Sequence, residues 1–235
     1  MQVLFAHKLS GEEKNSALEK MLLMRIEKTK QLYFVYLQYL IEISHYALVD
    51  AAKRVNKMIK DESDLNINTD LANNSCILAI QESDIYKKLL KTFAVSAFID
   101  TKLVKELFKK LQASEKYVKY CEIKKHSKAD DVEILRYIAK KIIGASEPLD
   151  EHLSEHFMSL EDDHFITLHS LQKKLKDYTE LDQEKFLNSF LLGLEDKEEI
   201  DYAKELLENN LAHSEELDHL IAPRLENWDM DRVAS

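Results

Sequence analysis

An all-α fold is predicted by the scarcity of glycine and proline and by apolar residues spaced three and four apart. The chain of 235 residues contains three Gly and two Pro, whereas sheet-rich domains need frequent turns that usually consume more of both. Residues 16–59 contain neither, and apolar side chains recur there at helical spacing. The sequence therefore predicts a helical bundle with a core large enough to fold without disulfides or a structural metal.

The first predicted segment, residues 1–60, contains one long amphipathic helix from Ser16 to about Ile59, preceded by a short helix that ends before Gly11. A polar loop is predicted for residues 61–83, where Asn and Asp are concentrated at 61–74 and favour turns. The apolar face of the long helix is expected to consist of Leu18, Leu22, Ile26, Tyr33, Tyr36, Leu40, Ile43 and Ala47.

An enlarged helical region is predicted for residues 84–225. Its first helix is expected to run from Asp84, as N-cap, to Gln112. Gly144 is expected to adopt a left-handed C-cap conformation and Pro148 to open the next helix. Further helices are predicted at 114–124, 129–143, 162–175, 182–192, 195–211 and 214–225. Residues 226–235 are interpreted as the start of a C-terminal subdomain that this sequence leaves incomplete.

Charge is unevenly distributed along the chain. The 33 basic and 43 acidic residues give a formal net charge of -10, which argues against a protein that coats nucleic acid through global positive charge. Residues 87–128 nevertheless hold 12 lysines and four acidic residues, while 129–235 hold 11 basic and 27 acidic residues. Lysines suit diffuse phosphate contact better than base reading. A solvated helix face and a local RNA-binding patch are both open interpretations of the lysine-rich span.

Cysteine content and hydropathy place the protein in the cytoplasm. Cys76 and Cys121 do not form a secreted-type disulfide framework. No apolar run approaches the roughly 20 residues that a membrane helix requires, and the first residues lack the charged n-region of a signal peptide. We therefore expect a cytoplasmic protein without a membrane partner.

Metal chemistry is suggested only by three Glu-x-x-His pairs, which ferritin-like di-iron bundles also use. The pairs are Glu42/His45, Glu161/His164 and Glu216/His219. The second and third lie among other charged residues, so only the first is placed to face a core. His152 and His156 share a helix face but lack the full zinc-protease motif. We predict no metal and no cofactor, and keep a di-iron enzyme as a minor alternative.

Catalytic motifs are not visible in the sequence. Three glycines could hardly build a phosphate-binding loop or a nucleophile elbow, and the two cysteines lack metal-binding spacing. The aromatic group at 33–39 is expected to pack in the core more than to stack on bases, because Tyr33 and Tyr36 fall on the apolar stripe. The sequence therefore predicts a protein that is not an enzyme.

Two stretches of the sequence carry more than helical spacing: one runs from Leu192 to Leu206, and the other from Leu220 to Ala234, with the motif Asn-Trp-Asp-x-Asp-Arg-Val-Ala at 227–234. Both resemble the NusB family of transcription antitermination factors, in its enlarged Bacteroidetes-type form. The surroundings of Leu32-Tyr33, the segment Leu160–Phe165 and the first six residues fit the same pattern. Family members carry an arginine-rich stretch before the position of Met1 and several helices after Ser235. The chain is accordingly interpreted as truncated at both ends.

The resemblance implies a non-catalytic, all-helical RNA-binding protein. Its expected partners are the ribosomal protein NusE, boxA-type RNA and the RNA polymerase antitermination complex, in the transcription of ribosomal RNA. On the positions that match the family, Gln2, Phe5 and Lys8 are the candidate RNA-binding residues, with Phe5 either stacking on a base or packing in the core. Trp228 and Arg232 are expected at a junction between subdomains. The alternative is a helical scaffold or protein-interaction module without RNA affinity.

Overall fold

The computed structural model describes residues 15–56, 68–192, 197–221 and 223, and every regular element in these residues is helical. The predicted all-α class is confirmed. The α-helices are α1 (Asn15–Val55), α2 (Ser75–Glu82), α3 (Asp84–Thr92), α4 (Thr101–Gln112), α5 (Glu115–Cys121), α6 (Lys128–Tyr137), α7 (Glu147–Ser154), α8 (Leu160–Lys176), α9 (Gln183–Leu187), α10 (Lys197–Ala212) and α11 (Ser214–Ile221). Short 3-10 turns lie at Asp70–Asn73, Val95–Phe98 and Asp177–Thr179, and π-helical segments at Ile138–Ile143 and Asn188–Leu192.

The chain divides into two compact units. The larger unit comprises Lys28–Leu194, and the smaller combines Met1–Glu27 with Glu195–Ser235. The long helix α1 contributes residues to both. No helix within the described ranges is long and apolar enough to cross a membrane.

The middle of α1 is the centre of the larger unit. Ten of the twelve residues from Leu32 to Ile43 are buried, so this stretch is surrounded by other helices on all sides. The sequence predicted a single apolar face, and for these residues that prediction is wrong: a helix that is hydrophobic around its whole circumference is typical of a core position. The predicted packing of the aromatic group is confirmed, because Tyr33, Phe34, Tyr36 and Tyr39 are each at most 2% exposed.

Polar atoms of α1 bind backbone carbonyls where the surrounding helices are interrupted. Tyr39 donates its hydroxyl to the carbonyl of Phe98 at 3.0 Å and accepts the amide of Asp100 at 3.1 Å. Gln31 donates to the carbonyl of Phe93 at 2.7 Å, and Tyr33 to that of Phe190 at 3.3 Å. Buried backbone groups need such partners, and these side chains supply them for the backbone groups of Phe93, Phe98, Asp100 and Phe190.

The helix predicted for 84–112 is divided into α3, a 3-10 turn and α4. Ala94 adopts a left-handed conformation with φ of 48°, and the side chain of Asp100 then caps α4 by accepting the amide of Lys102 at 2.7 Å. The predicted N-cap of the first part is also wrong. Ser83 is the N-cap and accepts the amide of Tyr86, while Asp84 is the first helical residue.

The predicted polar loop at 61–83 is wrong for its second half. Residues 75–82 form α2, and 70–73 form a 3-10 turn, while 61–67 lie outside the described residues. The side chain of Asn74 caps α2 by accepting the amides of Cys76 and Ile77. Four apolar residues of α2 are buried, namely Cys76, Ile77, Ala79 and Ile80, so this short segment is a core helix. The Asn residues before it were interpreted as part of a loop, although Asn is also a favoured N-cap residue.

Gly144 does not adopt the left-handed conformation that the sequence predicted, because its φ is -72°. An added side chain would be tightly packed there. A Cβ atom would lie 2.8 Å from Cδ1 of Leu168 and 3.1 Å from the carbonyl oxygens of Ala139 and Lys140. Pro148 lies in the first turn of α7, as predicted.

Replacing Gly144 with alanine should lower the free energy of unfolding by about 1–2 kcal/mol, since the new methyl group overpacks the contact with Leu168. Urea unfolding followed by circular dichroism measures this. The double variant G144A/L168V also removes the opposing Cδ1 atom. Its loss in free energy of unfolding should be smaller than the sum of the losses in G144A and in L168V. An unchanged unfolding midpoint for G144A would show that the contact relaxes freely.

The smaller unit has its own apolar contacts. Leu18 of α1 and Leu207 of α10 are buried together, with Met21, Leu22 and Leu211 packed against them. Lys204 forms an ion pair with Glu19 at 2.7 Å. The predicted short helix before Gly11 and the segment 226–235 lie outside the described residues.

Candidate nucleic-acid interface

Five exposed lysines line the outer side of α3 and α4, and we call them the lysine face. The inner sides of these helices carry the buried residues Tyr86 and Leu89 in α3, and Val104, Leu107, Phe108 and Leu111 in α4. Residues three and four apart share a helix side, so charged residues between these apolar positions lie opposite the core. The lysine face consists of Lys88, Lys91, Lys102, Lys105 and Lys109.

The lysine face is not neutralised by neighbouring carboxylates. Its five lysines form no ion pair within the described residues, and α4 carries one acidic residue, Glu106. Other lysines of the basic span do pair, as Lys119 does with Glu115 at 2.6 Å. Lys140 and Lys141 are also exposed, on the π-helical segment that packs against α4. The larger unit therefore exposes lysines on α3, on α4 and on the π-helical segment despite the acidic chain.

The RNA-binding residues predicted from the resemblance cannot be placed beside this face. Gln2, Phe5 and Lys8 lie outside the described residues, as do Trp228 and Arg232. Their roles stay predictions. The aromatic residues at 33–39 are buried and do not offer a stacking surface for bases.

A polar cleft of about 360 Å³ lies on the same unit, between the N-termini of α2 and α6. It is lined by Asp70, Asn73, Ser75, His126, Lys128, Asp131 and Tyr178. The ring of His126 stacks on Tyr120 with centroids 4.0 Å apart, and its Nε2 lies 3.5 Å from Asp70. The ammonium of Lys128 lies 4.6 Å from the centre of the Tyr178 ring. Nε2 of His126 and the ammonium of Lys128 are thus already engaged with the protein.

Asp131 is the central acceptor of the cleft and is 4% exposed. Its carboxylate accepts the amide of Ser75 at 2.8 Å, the hydroxyl of Ser75 at 2.6 Å and the hydroxyl of Tyr120 at 2.8 Å. Burial and this hydrogen bond raise the pKa of Tyr120, which keeps the donor protonated. The N-terminus of α2 attracts anions, and the chain's own carboxylate fills that position. We interpret the network as a structural link between α2 and α6.

The Glu-x-x-His pairs do not converge on a metal site. Glu42 accepts the side-chain amide of Gln38 at 2.7 Å. His164 lies 2.7 Å from the hydroxyl of Tyr36, and Glu216 pairs with His213 at 3.3 Å. Within the parts of the chain that the structure describes, no group of three or more His, Cys, Asp or Glu residues is arranged to hold a metal ion.

The other candidate ligands and nucleophiles are held by neighbouring groups. His152 bonds through Nε2 to the carbonyl of Phe98 at 3.0 Å, and its ring centre lies 5.6 Å from that of His156. Burial raises the pKa of both cysteine thiols, Cys76 and Cys121. A raised pKa lowers the thiolate fraction on which cysteine reactivity depends. These residues therefore offer no activated nucleophile.

Sequence reasoning missed a cluster of Tyr36, His164 and Asp150. Nδ1 of His164 lies 2.7 Å from the Tyr36 hydroxyl and 3.2 Å from Oδ1 of Asp150. Partial burial is the main cause that raises the pKa of Asp150, and the charge of His164 opposes this shift. The three residues come from α1, α8 and α7, so no local spacing could have indicated the cluster.

No protein-family model, curated protein or solved structure matches this chain. The resemblance to NusB therefore depends on the sequence motifs alone.

Proposed function

We propose that the protein is a non-catalytic RNA-binding factor of transcription antitermination. In this proposal it acts with the ribosomal protein NusE on boxA-type RNA, within the RNA polymerase antitermination complex in the cytoplasm. The partners come from the resemblance to the NusB family. RNA binding is supported by one structural observation, the exposed and unpaired lysine face.

The lysine face supports phosphate contact rather than base reading. Lysine ammonium groups act as point charges on flexible stems, whereas bidentate base contacts favour arginine. At physiological ionic strength a charge is screened beyond about 8 Å, so a bound strand responds mainly to the charges close to it and little to the net charge of the chain. Sequence preference would then come from other contacts, for which Gln2, Phe5 and Lys8 are the candidates.

A helical interaction module without RNA affinity is the second candidate. It is favoured by the net charge of -10 and by the 27 acidic residues among positions 129–235. The di-iron enzyme has no comparable support, because one member of each Glu-x-x-His pair is engaged with Gln38, Tyr36 or His213, and the described residues contain no group of three or more possible metal ligands.

Neutralising one side of α4 tests the proposal. The triple variant K102Q/K105Q/K109Q should bind boxA-type RNA about tenfold more weakly in the presence of NusE, and should flatten the slope of log K against log salt by about 2. The reason is that fewer counterions are released when fewer phosphates are contacted. Fluorescence anisotropy at several salt concentrations measures both quantities.

A matched variant, K173Q/K176Q/K185Q, removes the same charge from exposed lysines of the acidic part of the chain. Its affinity and salt slope should stay close to those of the parent protein. If the two triple variants weaken binding equally, the lysine face is not the contact surface. If the parent protein with NusE shows no preference for boxA over scrambled RNA, the antitermination proposal fails and the interaction module is favoured.

A further inference from the structure

Three large apolar side chains are exposed just before α8 and in its second turn, and we call them the apolar patch. Met158 is 94% exposed, Phe165 74% and Ile166 65%. Phe165 and Ile166 are neighbours on one helix, and Met158 lies two residues before it.

The fold does not need these side chains. Helix α8 already buries Leu168, Leu171 and Leu175 on its inner side, each at most 4% exposed. Phe165 contacts only the ring plane of His169 among the aromatic residues described, with centroids 6.1 Å apart. Single exposed apolar residues are common, but a cluster of large ones with a polar rim is typical of an interaction surface.

Carboxylates lie next to the apolar patch, since Glu161 and Asp162 precede Phe165 by four and three residues and share its side of α8. Glu155, Glu161 and Asp162 are exposed and lie within four residues of Met158. Glu155 and Glu161 form no ion pair in the part of the chain that the structure describes. The neighbouring cation Lys28 is held over the ring of Phe157, with Nζ 5.7 Å from the centroid. The surroundings of the patch are therefore predominantly negative.

We propose that the apolar patch docks a basic segment of a partner protein, whose apolar side chains cover Phe165 and Ile166 and whose Lys or Arg side chains meet the carboxylates. Complementary charge around an apolar centre is how interfaces select their partners. An RNA base stacked on Phe165 would bring its phosphates close to these carboxylates. A symmetric contact with a second copy would place the same carboxylates opposite one another. The inference does not depend on the RNA proposal.

The test uses a synthetic amphipathic peptide with leucines at helical spacing and lysines elsewhere, and a twin in which each lysine is glutamate. The full chain should bind the lysine peptide and not the glutamate twin in fluorescence anisotropy. The double variant F165S/I166S should weaken the binding about tenfold or more. The matched variant L78S/V118S, at two other exposed apolar positions of the same unit, should bind as the parent does.

Several outcomes would overturn the proposal. Equal binding of both peptides would indicate non-specific apolar adsorption, and equal affinities of F165S/I166S and the parent would place the contact elsewhere. In sedimentation at rising concentration, the parent should form no dimer that is absent from the double variant F165S/I166S. Such a dimer would assign the apolar patch to a second copy of the chain. Because Phe165 and Ile166 are 74% and 65% exposed, the double variant F165S/I166S should melt in circular dichroism close to the temperature of the parent.

Discussion

Raising the pH above about 10 should unfold the larger unit cooperatively, because its core contains tyrosines that cannot ionise while buried. Burial raises the pKa of Tyr33, Tyr36, Tyr86 and Tyr117 well above the ordinary phenol value, and raises the pKa of Tyr39 to about 12. Each side chain except that of Tyr117 is at most 3% exposed, and Tyr117 is 6% exposed. The unfolded chain, by contrast, ionises its tyrosines near pH 10.

The sign of the effect follows from proton linkage. A group whose pKa is raised in the folded state stabilises that state below the unfolded pKa, and this contribution is lost as pH rises towards the folded value. At pH 11 the unfolded state gains between about 1 and 2 kcal/mol for each such tyrosine. Four of them together contribute about 5 kcal/mol, which is comparable to the whole stability of a typical domain.

Phenolate absorbance near 295 nm and helical circular dichroism, followed together against pH, measure this transition. The buried tyrosines should ionise in the same step in which helicity is lost. The variant Tyr33→Phe lacks one ionisable core group, so its free energy of unfolding should fall less between pH 7 and pH 11 than that of the parent. Tyr202→Phe, at a 66% exposed position, should leave the midpoint unchanged. Smooth ionisation of all tyrosines with helicity retained would contradict the burial of these side chains.

Much of the secondary structure could be predicted from local spacing, because amphipathic helices reveal their period in the sequence. The breaks could not be predicted. Nothing local indicates that Ala94 is left-handed, since the interruption at 93–100 depends on Gln31 and Tyr39 of a distant helix. The same holds for α2, whose apolar residues 76–80 are too few to show a period. Long-range hydrogen bonds and burial decide these positions.

The candidate site was also predictable from the sequence only in part. The accumulation of lysines at 87–128 is visible in the sequence, and the helical period places five of them on the outer side of α3 and α4. Their lack of ion pairs required the structure, because pairing depends on which carboxylates the fold brings near. Asp131 was not recognised at all, since its partners Ser75 and Tyr120 lie 56 and 11 residues away in the chain.

Replacing Asp131 with alanine should lower the free energy of unfolding by about 3 kcal/mol. The substitution leaves the Ser75 amide, the Ser75 hydroxyl and the Tyr120 hydroxyl without their acceptor. Hydrogen bonds to a charged group contribute more than neutral ones, and buried donors without a partner cost further free energy. The carbonyl of Asp131 also accepts the side chain of Asn74 at 3.0 Å, and this bond should survive.

Urea unfolding of a control variant distinguishes the loss of the Asp131 hydrogen bonds from the loss of one negative charge. Glu133→Ala, at an exposed position of the same helix whose carboxylate pairs with Lys116, should cost at most about 0.5 kcal/mol. Tyr120→Phe should cost about 1 kcal/mol in the parent and much less in the Asp131→Ala background, because the two side chains share one bond. If the two losses simply add, Tyr120 is not coupled to Asp131. If Asp131→Ala costs no more than Glu133→Ala, water replaces the carboxylate freely, and the link between α2 and α6 must come from apolar packing instead.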